Sequence, residues 1–265
     1  MDNRSIGIFD SGIGGITVFS EIANDFPSEN IIYLGDTAKF PYGGKSKETI
    51  IELTKENINF LMKYNVKLIV IACGTATSQA LEEMQKIYDI PIIGIIEPTV
   101  NNIIDESVHK IGVIATEGTI NSNSWENNIK SKNNNIQVIN KACPLLAPMA
   151  EEGFTENEIA RLVIKEYMKE LKNEGLDKLI LGCTHYPLFT KLIQEELGEK
   201  VEIINTAKQV SKTLAKMLKE NGLDNNTMAG KHEIFLTDTK CKFIEIANKL
   251  FANKIKIENV KKAII

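Results

Sequence analysis

Two stretches of the chain, VKLIVIACGT (66–75) and DKLILGCT (177–184), share one pattern, in which a run of apolar residues ends in cysteine and threonine. Continuous apolar runs without polar alternation are typical of strands buried on both faces of a parallel sheet. Similar runs recur along the chain, separated by charged segments with helical periodicity. The pattern predicts an α/β fold with mainly parallel sheets, covered by helices on both faces.

Nine segments fit this description of a strand. They are SIGIF (5–9), NIIYLGD (30–36), VKLIVIAC (66–73), IPIIGII (90–96), KIGVIAT (110–116), IQVINKAC (136–143), DKLILGC (177–183), KVEIINT (200–206) and HEIFLTD (232–238).

An internal repeat accompanies the alternation of strands and helices. SIGIFDSGIGGITV (5–18) is similar to KIGVIATEGTINS (110–122), and Cys73 and Cys183 lie 110 positions apart. Apolar strands of any α/β protein resemble one another, but a repeated Cys-Thr pair is more specific. The repeat predicts two pseudo-symmetric lobes, residues 1–97 with 207–265 and residues 98–206, joined near IEPTV (96–100) and NTAKQV (205–210). Functional residues gather at the carboxyl ends of parallel strands, so the active site is expected in the cleft between the lobes.

Composition narrows the class of protein. The 265 residues carry a formal net charge of −4 with both signs interspersed, which gives no indication of nucleic-acid binding. The first residues lack the pattern of a secretory signal, and no stretch approaches the roughly 20 apolar residues of a membrane span. We therefore expect a soluble, cytoplasmic protein. Its four cysteines, Cys73, Cys143, Cys183 and Cys241, are then free thiols, ligands or nucleophiles.

The segment FDSGIGGITVF (9–19) reads as a strand, a glycine-rich turn and the start of a helix. A dinucleotide fingerprint would need glycine where Thr17 stands. Asp10 and Ser11 place a carboxylate and a hydroxyl at the strand end, which suits a small ligand bearing an ammonium group. The alternative is that Asp10 only caps the helix.

The two cysteines that end strands are the strongest candidates for chemistry. Cys73 precedes a predicted helix, whose positive N-terminal end favours a thiolate, and Thr75 is one of the residues available to cap that helix. Cys183, Thr184 and His185 crowd three functional groups into three positions. A buried, inert cysteine is the commoner outcome for a lone strand residue. Zinc binding is a second alternative, although the paired spacing of structural zinc sites is absent.

Two thiols facing each other across a cleft have a specific use. Inverting a carbon that carries a weakly acidic hydrogen requires one group to remove the proton and another to deliver a proton to the opposite face. Equivalent cysteines on two pseudo-symmetric lobes meet that requirement, with Asp10 and His185 as neighbours that tune Cys73 and Cys183. The sequence thus predicts a two-base racemase, with Cys143 and Cys241 as structural residues.

The motifs GIFDSGIGGITV, YLGDTAKFPYG, VIACGTA, IEPTV, IGVIATEGTI, ACPLLAPMAEEG and LILGCTHYPL resemble, in order and spacing, those of glutamate racemases. The resemblance runs from about Ile6 to Leu188. It implies a cofactor-independent enzyme, without pyridoxal phosphate or metal, that makes D-glutamate for peptidoglycan. Cys73 would deprotonate D-glutamate with the help of Asp10, and Cys183 would deprotonate L-glutamate with the help of His185.

The resemblance also implies roles for residues around the thiols. Asp36 and Glu151 match acidic residues with supporting catalytic roles. The matching substrate-binding positions are Ser11, Pro41, Tyr42, Gly43, Gly74, Thr75, Thr116, Thr119 and Thr184. A homodimer is a further expectation.

Two positions depart from the family pattern. Gly74 stands where an asparagine is common, so an amide that would bind substrate is missing. Near Asn205, INTA (204–207) stands where an Asp-Ser-Gly sequence is frequent. An aspartate racemase therefore remains an alternative. An alternative from another class is a two-lobed protein that binds an amino acid without reacting it.

Overall fold

A computed structural model describes residues 2–225, 229–239, 247 and 260–265, and these residues form two parallel β-sheets. The strands are β1 (Ile6–Asp10), β2 (Ile31–Gly35), β3 (Leu68–Ile71), β4 (Ile92–Ile93), β5 (Lys110–Ala115), β6 (Gln137–Ala142), β7 (Lys178–Leu181), β8 (Glu202–Asn205), β9 (His232–Leu236) and β10 (Val260–Lys262). The helices are α1 (Ile16–Asp25), α2 (Lys47–Met62), α3 (Gly74–Ile87), α4 (Ile96–Ile103), α5 (Glu117–Asn121), α6 (Ser124–Lys132), α7 (Leu146–Glu151), α8 (Glu158–Met168), α9 (Thr190–Leu197) and α10 (Thr206–Glu220), with a 3₁₀ turn at Tyr186–Phe189.

The strand orders of the two sheets show the internal repeat. One sheet has the order β10-β9-β2-β1-β3-β4 and the other β6-β5-β7-β8. Each contains the same unit, in which the first strand of the unit lies between the second and the third, and the fourth strand lies at the edge. The predicted α/β fold with two pseudo-symmetric lobes is confirmed. The strand β10 was not predicted, because its sequence VKK carries no apolar run.

Alternating burial explains how the strands position the helices. On β1, Ile6 and Ile8 belong to the same apolar core as α1 and α10, whereas Phe9 packs on the opposite face in the core with α2 and α3. The first of these cores also contains Ile111 and Val113 of β5. The two sheets therefore share one continuous apolar core.

The chain passes between the two sheets near the predicted crossings. The boundary between residues 97 and 98 falls in the first turn of α4, where Pro98 is tolerated because the first turn needs no backbone donor. The boundary between residues 206 and 207 falls at the start of α10, which packs against α1 and α4. The exact division into residues 1–97 with 207–265 and 98–206 stays a prediction.

A buried ion pair ties together segments far from the cleft. The Lys67 ammonium lies 2.5 Å from a Glu29 carboxylate oxygen, and both side chains are almost fully buried. The same ammonium donates to the carbonyls of Asp2 and Leu223. Burial of a charge is tolerated here because the partners satisfy it. In the described part of the chain, no helix is both long enough and apolar enough to cross a membrane.

Candidate active site

The ends of four central strands converge on one cavity of about 210 Å³ between the two sheets. Its lining includes both strand-end cysteines, Cys73 after β3 and Cys183 after β7. The other predicted residues that line it are Ser11, Pro41, Tyr42, Gly43, Gly74, Thr75, Thr116, Thr184 and His185. The volume lies below the roughly 300 Å³ at which pockets for drug-sized ligands begin, and suits a smaller molecule.

The remaining predicted residues, Asp10, Asp36, Thr119 and Glu151, lie behind this lining and hold residues that belong to it. Gly44, which follows Gly43 in a turn predicted to line a pocket, also lies in the lining. The sequence did not single out Phe40, Glu117, Pro144, Ala147 and Pro148, which line the cavity as well. The available signal for these five was their position inside the quoted motifs, since four of them are apolar and carry no reactive group, and Glu117 was passed over beside Thr116.

The Cys73 side of the cavity keeps its thiol protonated. Cys73 itself caps α3, its sulfur accepting from the backbone N–H of Ala76 at 3.5 Å, whereas Thr75 was among the residues predicted to cap this helix. The thiol donates to the Ser11 hydroxyl at 3.4 Å. Burial, followed by the charge of Asp10, raises the pKa of Cys73 to about 12, although the bonds from Ser11 and Ala76 oppose the change. At neutral pH this sulfur is a proton donor.

Asp10, which was predicted to assist Cys73, acts on this thiol through its charge, and its carboxylate accepts hydrogen bonds from other residues. Its carboxylate is fully buried and accepts from the Gly12 N–H and from the Thr184 hydroxyl, each at 3.0 Å. Burial raises the pKa of Asp10, while the charge of His185 and the hydrogen bonds oppose this increase. The bond to Thr184 joins the end of β1 to the residue after Cys183. Asp10 thus links the two halves of the site.

The Cys183 side of the cavity carries a positive charge. The His185 Nδ1 atom lies 3.7 Å from the Cys183 sulfur, and Nε2 lies 2.8 Å from Oε1 of Glu151. Burial alone would lower the pKa of His185, but the hydrogen bonds and charges of Cys183 and Glu151 outweigh it and hold the pKa well above its usual value. The backbone N–H of Ile13 donates to the same Glu151 oxygen at 2.9 Å. An imidazolium in this position can donate a hydrogen bond to the Cys183 sulfur.

Three hydroxyls form a triangle across the cleft. Thr75 and Thr116 approach to 2.9 Å, Thr116 and Thr119 to 2.9 Å, and Thr119 donates to Thr75 at 3.4 Å. Thr75 lies on α3, beside the larger sheet, whereas the other two lie at the start of α5, beside the smaller one. Hydroxyls that can rotate are suitable donors to a carboxylate.

Asp36 supports the turn that carries Tyr42. The Tyr42 hydroxyl donates to one Asp36 oxygen at 2.6 Å, and the Thr237 hydroxyl donates to the other at 2.9 Å. The Asn57 amide donates to the Tyr42 hydroxyl at 3.0 Å. Burial and the charge of Asp36 raise the pKa of Tyr42, which therefore stays a neutral donor. Since Asp36 is fully buried behind Tyr42, it shapes the cavity wall without lining it.

The other cysteines stand apart from this cavity or from the described structure. Cys143 is fully buried next to the cavity wall but does not line it, and burial raises its pKa to about 12. Cys241 lies outside the described residues. Among the residues that the structure describes, no three His, Cys, Asp or Glu side chains converge as metal ligands would.

Comparisons with known proteins match both the sequence and the fold. The family model "Asp/Glu/Hydantoin racemase" matches residues 18–212. The chain is 42% identical over 254 residues to a glutamate racemase of Geobacter metallireducens, covering 95% of this chain and 94% of that one. It is 46% identical to a glutamate racemase of a Sulfurihydrogenibium species, covering 96% of each. The crystal structure of glutamate racemase from Francisella tularensis in complex with D-glutamate superposes with a TM-score of 0.92 at 38% identity, covering 100% of this chain and 98% of that one.

Proposed function

The chain belongs to the Asp/Glu/Hydantoin racemase family, and we propose that this amino-acid racemase interconverts L- and D-glutamate with Cys73 and Cys183 as its two bases. The observation that carries the proposal is the pair of thiols from opposite sheets at one cavity, in unlike electrostatic environments. One thiol is held protonated, and the other lies beside an imidazolium. This is the pairing of acid and base that inversion of a carbon centre requires.

In the direction from L- to D-glutamate, the Cys183 thiolate removes the α-proton. The Cys73 thiol then delivers its proton to the opposite face of the same carbon. After turnover Cys183 is protonated and Cys73 is a thiolate, which is the state that accepts D-glutamate for the reverse reaction. Exchange of protons with solvent restores the starting state. No bond other than S–H and C–H forms or breaks.

The surrounding residues bind the substrate and set the protonation of His185. Thr75 and Thr116 of the threonine triangle donate to a carboxylate, while Thr119 holds both from behind. Ser11 and Thr184 contribute further hydroxyls at the cavity wall. Asp10 attracts the ammonium group. Glu151 keeps His185 protonated and oriented. The D-glutamate complex of the Francisella relative supports a substrate of this class.

We also infer a metabolic role for the D-glutamate that the reaction produces. On the resemblance to glutamate racemases, the D-glutamate enters peptidoglycan synthesis in the cytoplasm. The homodimer stays a prediction from sequence.

The test is proton exchange in deuterated water, with L- and D-glutamate supplied separately. The wild type incorporates deuterium into the inverted product from both enantiomers. Cys73→Ala still exchanges the α-proton of L-glutamate without inverting it, because Cys183 removes the proton and returns a deuteron to the same face. Cys183→Ala exchanges only D-glutamate. The buried Cys143→Ala variant is the matched control and keeps both activities.

Other outcomes would assign a different function. Exchange with aspartate in place of glutamate would indicate an aspartate racemase. Binding of either amino acid with no exchange would favour the alternative of a binding protein. If both single cysteine variants still inverted glutamate, the two-base mechanism would be wrong.

A further inference from the structure

A series of glycines lies where the two lobes touch beside the cavity. A Cβ atom built on Gly12 would lie 2.6 Å from a Glu151 oxygen, and one on Gly14 would lie 2.5 Å from the His185 ring. A Cβ on Gly43 would lie 2.7 Å from Thr116. In each case the glycine belongs to the lobe of β1, and the group it meets belongs to the lobe of β5. The lobes thus approach more closely at the site than side chains would allow.

The tightest of these contacts joins the two segments that carry the cysteines. Gly74, the first residue of α3, follows Cys73, and Gly182, at the end of β7, precedes Cys183. A Cβ on Gly74 would lie 2.2 Å from the Gly182 carbonyl oxygen. That oxygen belongs to backbone, so no side chain could rotate away to make room.

Gly182 cannot retreat from this contact either. A Cβ on Gly182 would lie 2.8 Å from Nε1 of Trp125 and 3.0 Å from the Ile114 carbonyl oxygen. Trp125 is 1% exposed and packs in the core that the two sheets share. Gly182 is therefore held between Gly74 on one side and the core of its own lobe on the other.

From these contacts we propose that Gly74 is a positioning residue, whose missing side chain sets the separation between the Cys73 and Cys183 thiols. The proposal rests on the two-base function described above. A carbon atom and a carbonyl oxygen normally lie no closer than about 3.3 Å, so a methyl group at position 74 would force the two backbones apart by about 1 Å. Cys73 and Cys183 are the immediate sequence neighbours of these two glycines, so their thiols would separate with the backbones.

The separation of the thiols matters for catalysis because a proton is transferred only over a short distance. Each sulfur must approach the same α-carbon from opposite faces, and a displacement of about 1 Å can lower a rate about 100-fold.

The experiment compares the wild type with Gly74→Ala, Gly74→Asn and Gly112→Ala. Gly112 on β5 is also crowded, with a Cβ 2.7 Å from a Leu176 side chain, but the contact lies inside one lobe. We expect both substitutions of Gly74 to lower kcat about 100-fold in both directions with KM changed only a few-fold. Gly112→Ala should lower the melting temperature and keep the kcat of the wild type.

A second readout does not depend on activity. A crystal structure of Gly74→Ala should show the two sulfurs about 1 Å farther apart than in the wild type. In solution, the emission of Trp125, the single tryptophan of the chain, should shift because its neighbour Gly182 moves. If Gly74→Ala fails to fold, Gly182→Ala is the second variant: its Cβ would meet Nε1 of Trp125 and the Ile114 carbonyl oxygen inside its own lobe, which pushes the Gly182 backbone toward Gly74 and should also lower kcat.

The two proposals fail in different ways. A wild type that does not racemise glutamate would overturn the proposed function, and the sulfur separation in the variant would still decide the role of Gly74. An unchanged separation in Gly74→Ala would overturn the positioning role. So would a kcat that falls no further than that of Gly112→Ala.

Discussion

The ionisation of Cys73 should depend on whether substrate is bound. In the free protein, burial and the charge of Asp10 raise the pKa of this thiol to about 12. At pH 8 only about one molecule in 10⁴ then carries the thiolate that would deprotonate D-glutamate in the proposed mechanism. The ammonium group of the substrate offsets this effect when it enters the cavity beside Asp10. Bound substrate should therefore lower the pKa of Cys73.

The size of the change follows from Coulomb's law. Two unit charges about 4 Å apart attract by about 4 kcal/mol at an effective dielectric constant of about 20, which corresponds to about 3 pKa units. The negative charges of the substrate carboxylates raise the pKa of Cys73 and so oppose this decrease. Their effect is smaller because, in the proposed binding mode, they lie farther away, beside the threonine triangle. We expect a net decrease of about 1 to 3 units, which raises the thiolate population about 10-fold to 1,000-fold.

Thiolate absorbance in the ultraviolet measures this ionisation without a reagent that substrate would shield. The titration uses Cys183→Ala, which binds D-glutamate without inverting it, and subtracts the double variant Cys73→Ala/Cys183→Ala. The contribution of Cys143 cancels in the difference. We expect no transition of Cys73 in the free protein at any pH where it stays folded, and a transition with D-glutamate bound.

Two results would refute this reasoning. One is a Cys73 transition at the same pH with and without D-glutamate. The other is a transition of the free protein near the ordinary thiol pKa of about 8.5, which would mean that burial and Asp10 do not hold the proton on the sulfur.

Three further changes test other parts of the structure. Glu151→Gln removes a charge that raises the pKa of His185, so the loss of kcat at high pH, where His185 gives up its proton, should begin at a lower pH. The kcat/KM values of the two enantiomers should fall equally, since their free energies in water are the same, and an unmoved pH profile would contradict the role of His185. Lys67→Met leaves the Glu29 carboxylate buried without its partner and should lower the free energy of unfolding in urea by about 3–5 kcal/mol. The double variant Lys67→Met/Glu29→Leu should recover most of that loss. Equal unfolding free energies of the wild type and Lys67→Met would contradict the role of the ion pair. Because the folded pKa of Cys143 is about 12, the unfolded thiol releases its proton first as pH rises, so stability falls above the unfolded pKa. In Cys143→Ala the decrease in stability between pH 8 and 10 should be about 2 kcal/mol smaller, and an equal decrease would contradict it.

Most of the fold could be predicted because burial on both faces of a parallel strand leaves a continuous apolar run. The nine predicted strands are present, but β4 keeps only Ile92 and Ile93, which pair with Ile69 and Val70 of β3. The end of that apolar run already belongs to α4, with Ile95 as its N-cap and Ile96 as its first residue, because a short apolar segment carries no period that separates a strand from a buried helix. The strand β10 was not predicted because it lies at the edge of its sheet, where a strand can be polar and need not contain an apolar run.

The strand-end cysteines could also be identified from sequence, because parallel strands bring their carboxyl ends to one edge of the sheet. The partners of the charged residues could not. Asp10 bonds to Thr184 from the other lobe, and one Glu151 oxygen serves both His185 and the Ile13 N–H. These pairs depend on how the two lobes pack against each other, and no local sequence pattern specifies that packing.

Sequence alone determined the α/β class, the repeat, and the two thiols at equivalent strand ends, because these follow from periodicity and from residue type at a fixed place in each unit. Asp10 and His185 were predicted as their neighbours, but only the tertiary structure decided that burial more than Asp10 raises the pKa of Cys73 and that His185 lies within 3.7 Å of the Cys183 sulfur. It also decided why Gly74 is a glycine, since the carbonyl that excludes a side chain there belongs to Gly182, more than a hundred residues away. Burial, charge and steric contact act through space, and the distances between remote residues exist only once the chain has folded.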